Sequence, residues 1–240
     1  MTATNGQERE SLAPDQFVAE IEAMRADWRK QYPFRIREIM NPEEFAPLAA
    51  TKRRAHMGGD INHRFEGERY FNSTDKATRR FQLRKLVDEG GQVTVGGPQV
   101  SHPLLSRWES NAYGVTPDEV DKLEKGDCDP AELVRRGWWI TVARDSHFGV
   151  GIGSGCVAEG ENKIHSAELI AALERDRERF EEWGVAEVDK ALLNRLEHAG
   201  VDIDHANFNE DVVRKFVTTP ELQDEMREVF TLRLQMTSGG

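Results

Sequence analysis

Apolar residues recur along most of this chain at intervals of three and four. Phe17, Ile21, Met24 and Trp28 set the pattern from Pro14 onward, the spacing that keeps side chains on one face of an α-helix. Helix-start signals punctuate it. Asn41-Pro42-Glu43-Glu44, Thr116-Pro117-Asp118-Glu119 and Asp129-Pro130-Ala131-Glu132 each put a capping side chain before a proline, with glutamate three after the cap. Thr219-Pro220-Glu221 repeats the opening. Such a cap accepts an orphan backbone N–H, and proline loses nothing in a first turn. The pattern predicts further helices near 42–55, 60–72, 75–89, 102–113, 117–125, 130–158, 165–182, 186–216 and 220–236, with a break or bend expected at Gly200. The one strand-like alternation, Gln92-Val93-Thr94-Val95, lies between glycine clusters and reads as a loop excursion. There is no internal repeat or low-complexity linker. The expectation is an all-α helical bundle, one domain over 14–240 behind a flexible tail at 1–13.

Composition narrows the function. The chain has 240 residues, a net charge of -11 and 31% charged residues. That balance disfavours a nucleic-acid or anionic-membrane binder, which needs excess lysine and arginine. The pairs Arg53-Arg54, Arg79-Arg80 and Arg135-Arg136 are isolated. Two cysteines, Cys128 and Cys156, allow neither a disulfide framework nor a cysteine zinc site. The polar N-terminus lacks the apolar core expected of a signal peptide, and no apolar run approaches the roughly 20 residues of a membrane span. A cytoplasmic protein is expected.

Candidate chemistry concentrates in Asn194–His205. His198, Asp202 and His205 stand at offsets of four and seven, which return to nearly one azimuth on a helix; Asp204 falls on the other side. Two imidazoles and a carboxylate on one stripe suit iron, manganese or zinc; a solvated polar stripe is the plainer alternative. Gly149-Val150-Gly151-Ile152-Gly153-Ser154-Gly155 lacks the spacing and the preceding strand of a nucleotide loop. Four glycines there point instead to close backbone contact or a helix distortion beside a site. Glu159 follows, and a carboxylate buried after such a segment wants a cation; the alternative is a solvated Glu159, with Glu161 or neither as ligand. Glu89 closes its helix before Gly90-Gly91. His102 opens the next behind Ser101, with Glu109 on the same face as a rival to Glu89. His56, His63, His147 and His165 lack partners at helical spacing, His147 being the best reserve.

Several stretches resemble the haem-oxygenase-like helical family that includes the pyrroloquinoline-quinone biosynthesis protein C, the thiaminase-like proteins and the haem-oxygenase-like diiron oxidases. They are Thr78-Arg79-Arg80-Phe81 through Leu86-Val87-Asp88-Glu89-Gly90, Ser101-His102-Pro103-Leu104-Leu105 with Trp108 and Tyr113-Gly114, the helix into Glu159, His198 to His205, and Thr219-Pro220-Glu221-Leu222-Gln223. The likeness runs from about residue 40 to the end, and the His198, Asp202, His205 triplet resembles the diiron branch. The resemblance implies a haem-oxygenase-like bundle. It also implies Glu89, His102, Glu159, His198, Asp202 and His205 as ligands to two Fe(II), with O2 as co-substrate. The connection through Gln92–Val100 is longer than the family's, which makes Glu89 and His102 the least secure pair.

The activity implied is oxidation or oxygenation of a small molecule such as an amine, amino acid or related carboxylate. N-oxygenation, desaturation or carbon–carbon cleavage are the outcomes in view. An external electron donor and a homodimer belong to the same expectation. Arg79, Arg80 and Arg144 are candidates to anchor a substrate carboxylate, on charge alone. The alternatives are a cofactor-free oxidase on the same scaffold and a non-enzymatic helical interaction protein. The thiaminase branch needs a nucleophilic cysteine; Cys156 is a candidate with no assignable partner.

Overall fold

The computed structural model describes residues 10–32, 59–90, 100–112, 114–125, 127, 130–182, 185 and 187–238. The expected helix at 42–55, the alternation at 92–95, and His56, Cys128 and Asp129 lie outside the described residues. Within them all regular structure is helical: α1 (Pro14–Gln31), α2 (Gly59–Asn72), α3 (Lys76–Glu89), α4 (His102–Ala112), α5 (Pro117–Glu124), α6 (Pro130–Asp145), α7 (Phe148–Gly153), α8 (Gly155–Arg175), α9 (Arg177–Glu182), α10 (Val188–Phe216) and α11 (Pro220–Ser238).

Of the predicted caps, those at Thr116 and Thr219 fall among the described residues. Thr116 accepts from the Glu119 N–H at 3.3 Å, and the Glu119 carboxylate accepts from the Thr116 N–H at 2.7 Å. On α3 the cap is Asp75, whose carboxylate takes the Thr78 N–H at 2.8 Å. Thr219 Oγ1 faces the Leu222 N–H at 3.4 Å. The expected loose tail at 1–13 is tied down at its end, because Leu12 exchanges two 2.9 Å hydrogen bonds with the Gln223 amide.

α10 is the spine. It packs on α8, α4, α7 and α1, while α2 pairs with α3 and α6. It runs unbroken for 29 residues, so Gly200 does not interrupt it as expected. Gly200 is exposed, and packing of the helix on both sides outweighs the roughly 1 kcal/mol that one glycine costs. The single helix expected over 130–158 is instead two, α6 and α7, with a third starting at Gly155. The cause is local. His147 caps α7 by accepting the Gly149 N–H on Nδ1 at 3.2 Å. The chain then folds back so tightly that a Cβ on Gly151 would lie 3.3 Å from the Val142 carbonyl. The 165–182 helix likewise starts earlier and splits at Asp176, which pairs with Arg175 and Arg179.

Apolar packing gathers in separate clusters. The largest joins Phe17, Ile21 and Trp28 of α1 to Val213 of α10 and Met226 and Phe230 of α11. Another joins Leu173, Phe180, Val188 and Leu192. No helix among the described residues is long and apolar enough to cross a membrane.

Candidate metal centre

Three helices carry polar residues on their buried faces. On α3 the buried residues are Thr78, Gln82, Lys85 and Glu89, whereas Leu83 and Val87 are exposed. On α10, Asn194, Glu197, Asp202, His205 and Asn209 are buried while Leu196 and Ile203 are exposed. On α2, Glu66 and Arg69 are buried and Phe71 is 73% exposed. Helices that turn polar side chains inward against their apolar residues give up hydrophobic burial. They do so where polar groups must meet.

The meeting point is built from α3, α4, α8 and α10, with α2 behind. Glu89 at the end of α3 accepts a hydrogen bond from His102 Nδ1 at 3.1 Å, at the start of α4. The His102 and His198 rings lie 5.0 Å apart between centroids. His198 gives its own Nδ1–H to the Asn194 carbonyl one turn back, at 2.8 Å. One turn on, Asp202 Oδ1 is 3.8 Å from His205 Nδ1. The His205 ring abuts Phe81 edge-on at 5.9 Å, and Phe81 stacks on Phe208 at 3.6 Å. From α8, Glu159 accepts from Lys85 Nζ on one oxygen and from Asn209 on the other. The close passage of Asn209 and Arg69 explains Gly155, where a Cβ would lie 2.5 Å from Asn209 Nδ2 and 3.0 Å from Arg69.

Electrostatics follow from burial and charge. Burial presses Glu89 upward, but the hydrogen bond and charge of His102, then Lys85 and His198, hold it at about 2. Burial works against protonated His102, yet its Glu89 partner raises it. Burial and the neighbouring His102 lower His198. Burial and Lys85 lower His205 to about 4. Asp202 moves the other way: burial, then the charge of Glu159, raises it well above the usual carboxylate range. Carboxylates thus crowd this chamber.

The donor chemistry suits divalent metal. Metal-bound histidines commonly tie back one ring nitrogen to a carboxylate or a backbone carbonyl. His102 and His198 do so on Nδ1, which leaves Nε2 of each as the remaining donor. His102 Nε2 has no hydrogen-bond partner among the described residues; a Glu197 oxygen lies 3.7 Å away. Asp202 Oδ2, Glu66 Oε2 and the Gln82 amide are also buried without hydrogen bonds among the described residues, a costly condition. The side chains are not drawn into a closed ligand shell: among the described residues no three His, Cys, Asp or Glu are arranged to hold an ion. Lys85 occupies the position between Glu66 and Glu159.

Of the six expected ligands, Glu89 pairs with His102, His102 lies beside His198, and Asp202 lies beside His205, while Glu159 is engaged by Lys85 and Asn209; Asp202 is buried and Asp204 exposed. The rival Glu109 is taken by Asn194 and Arg195. His147 serves as a helix cap, and Cys156 is a buried thiol that burial and Glu159 push up. The side chain of Glu161 is outside the described set. The three arginines expected to anchor substrate stand apart. Arg79 and Arg80 are exposed, Arg79 with its guanidinium 5.7 Å from the Tyr70 ring, and Arg144 forms an exposed two-point pair with Asp145 at 2.7 Å. Sequence reasoning missed Lys85, Glu66, Glu197 and Asn209. The signal was present on α3: Thr78, Gln82, Lys85 and Glu89 are spaced four, three and four apart, a polar face at helical period.

Comparison with family models and with curated proteins finds no match for this chain.

Proposed function

We propose that this chain is a non-haem diiron oxidase or oxygenase on a haem-oxygenase-like bundle, acting on a small amine, amino acid or related carboxylate. The observation that carries the reading is the pair of tied-back imidazoles, His102 through Glu89 and His198 through the Asn194 carbonyl. One turn on from His198 stands the buried Asp202, whose Oδ2 has no hydrogen bond among the described residues. His102, His198 and His205 would supply nitrogen, and Glu89, Glu159 and Asp202 oxygen, to two ferrous ions. Such a pair, when bound, supplies the electrons that activate O2. The protein's own contribution is positional. Glu89 and the Asn194 carbonyl fix ring orientation, and the Phe81–Phe208 stack walls one side of His205 against water. A homodimer and an external electron donor complete the proposal.

A second reading has one observation in its favour. The Lys85 ammonium already neutralises Glu66 and Glu159, as a cofactor-free oxidase working on an organic anion would require.

Anaerobic titration with Fe(II) separates the two. The diiron reading expects two ions per chain and an O2-dependent transient absorbance. His198→Ala and Glu159→Ala should each lose uptake and O2 consumption while far-UV circular dichroism stays near wild type. No uptake by the native protein would leave the cofactor-free reading.

A further inference from the structure

A buried lysine held between two carboxylates has no use as a metal ligand while it is protonated. Lys85 is 2% exposed, and its Nζ lies 2.9 Å from Glu66 Oε1 and against Glu159 Oε1. Glu66 and Glu159 are held differently. Glu66 is braced by Arg69 Nη1 at 2.9 Å, and Arg69 is itself anchored on the Gly151 carbonyl at 3.1 Å. Its second oxygen, Oε2, has no hydrogen bond among the described residues. Glu159 has one oxygen on Lys85 and the other on Asn209, so neutral Asn209 would be its remaining hydrogen-bond partner among the described residues if the ammonium left.

We infer that Lys85 is a resident counter-cation that holds Glu159 while the chamber is without metal, and that a divalent ion enters by taking Glu159 from it as the ammonium withdraws onto Glu66. The inference rests on the diiron reading above. Its physics is competition. A buried carboxylate left unpaired is costly, so the metal-free protein needs a cation there. Two cations sharing one carboxylate oxygen repel strongly in a medium of low dielectric. Lysine is suited to the exchange, because its charge rides on a flexible four-carbon stem. Glu66 Oε2 offers the acceptor that Glu159 would vacate. Glu66 is then a parking place for the lysine, fixed by Arg69, and no ligand.

Mn(II) binding, measured by calorimetry on chelator-treated protein, tests this. The wild type is compared with Lys85→Met and with Lys85→Gln; glutamine keeps an N–H donor toward Glu66 should methionine fail to fold. Loss of the competing charge should lower the Mn(II) Kd by about tenfold or more, and the metal-free variants should melt below wild type. A folded variant that binds Mn(II) no more tightly than the wild type overturns the inference and leaves the diiron reading standing. Uptake by the variants alone supports the lysine's role and removes the reading for the native chain. No uptake by any of the three overturns both.

Discussion

Asp202 and His165 show how single side chains report on this interior. Asp202 is buried beside other carboxylates, and burial followed by Glu159 raises its carboxyl well above 3.8. A carboxyl so raised binds its proton more tightly folded than unfolded. Its charge therefore costs stability as pH rises above 3.8, and the cost is in force at neutral pH. Asp202→Asn should stabilise the metal-free protein by about 1–3 kcal/mol at pH 7 and weaken Fe(II) binding. Urea unfolding in chelator at pH 7 and at pH 3.5 checks it, the advantage disappearing at the lower pH. His165, on α8 outside the cluster, has the opposite sign. Burial first, then Arg29 and Arg195, depress it to about 3. The unfolded chain takes this proton near 6.5 and the folded chain does not, so stability present above pH 6.5 is lost as pH falls toward 3. The loss is at most about 1.4 kcal/mol per pH unit. His165→Gln should flatten the fall in urea midpoint between pH 6.5 and 5; equal slopes in both proteins would refute it. The polar stripe of α10 was legible at this scale because His198, Asp202 and His205 obey one helical period. Lys85 and Glu66 were not. Their meeting depends on how α2, α3 and α8 approach one another, and no spacing within one helix encodes that.

At the scale of elements, capping residues and apolar spacing located most helix starts, as at Thr116 and Pro220. The run from 130 to 175 was misread because a glycine's role depends on what lies beside it. Gly149, Gly151, Gly153 and Gly155 look alike in sequence. In the fold Gly151 backs onto the α6 backbone, Gly153 onto Val213 and Met226, and Gly155 onto Asn209 and Arg69. A Cβ on Gly153 would lie 2.5 Å from Val213 Cγ2 and 3.0 Å from Met226 Cε. Gly153→Ala should therefore destabilise by about 1–3 kcal/mol through overpacking. Gly137, exposed on α6, is the control, since nothing lies within 4 Å of its Cβ position. Gly137→Ala should stabilise by about 0.5–1 kcal/mol through helix propensity. Both are read from chemical denaturation midpoints at constant slope. A neutral Gly153→Ala would mean that α7 is free to shift away from α10.

The whole molecule is organised around a polar chamber flanked by apolar clusters. Phe17, Ile21, Trp28, Met226 and Phe230 pack on one side, and Leu173, Phe180 and Val188 form a separate cluster. Between the helices lie Glu66, Glu89, Glu159, Glu197 and Asp202, met by Lys85, Arg69 and Arg233. Those carboxylates outnumber the cations, in a chain whose net charge is already -11. Cations that bind the folded chamber and not the unfolded chain must raise global stability, by about 2.7 kcal/mol at a free concentration one hundred times Kd. The gain should not be local. The proposed ligands come from α3, α4, α8 and α10, so loading would tie four helices to one point. Fe(II) under anaerobic conditions, or Mn(II), should raise Tm by several degrees, and chelator should reverse it. Amide exchange should slow on all four helices together and stay unchanged on α5, which carries none of the proposed ligands. Protection confined to α10 would mean that His198, Asp202 and His205 bind an ion alone, with Glu89, His102 and Glu159 serving only to balance charge.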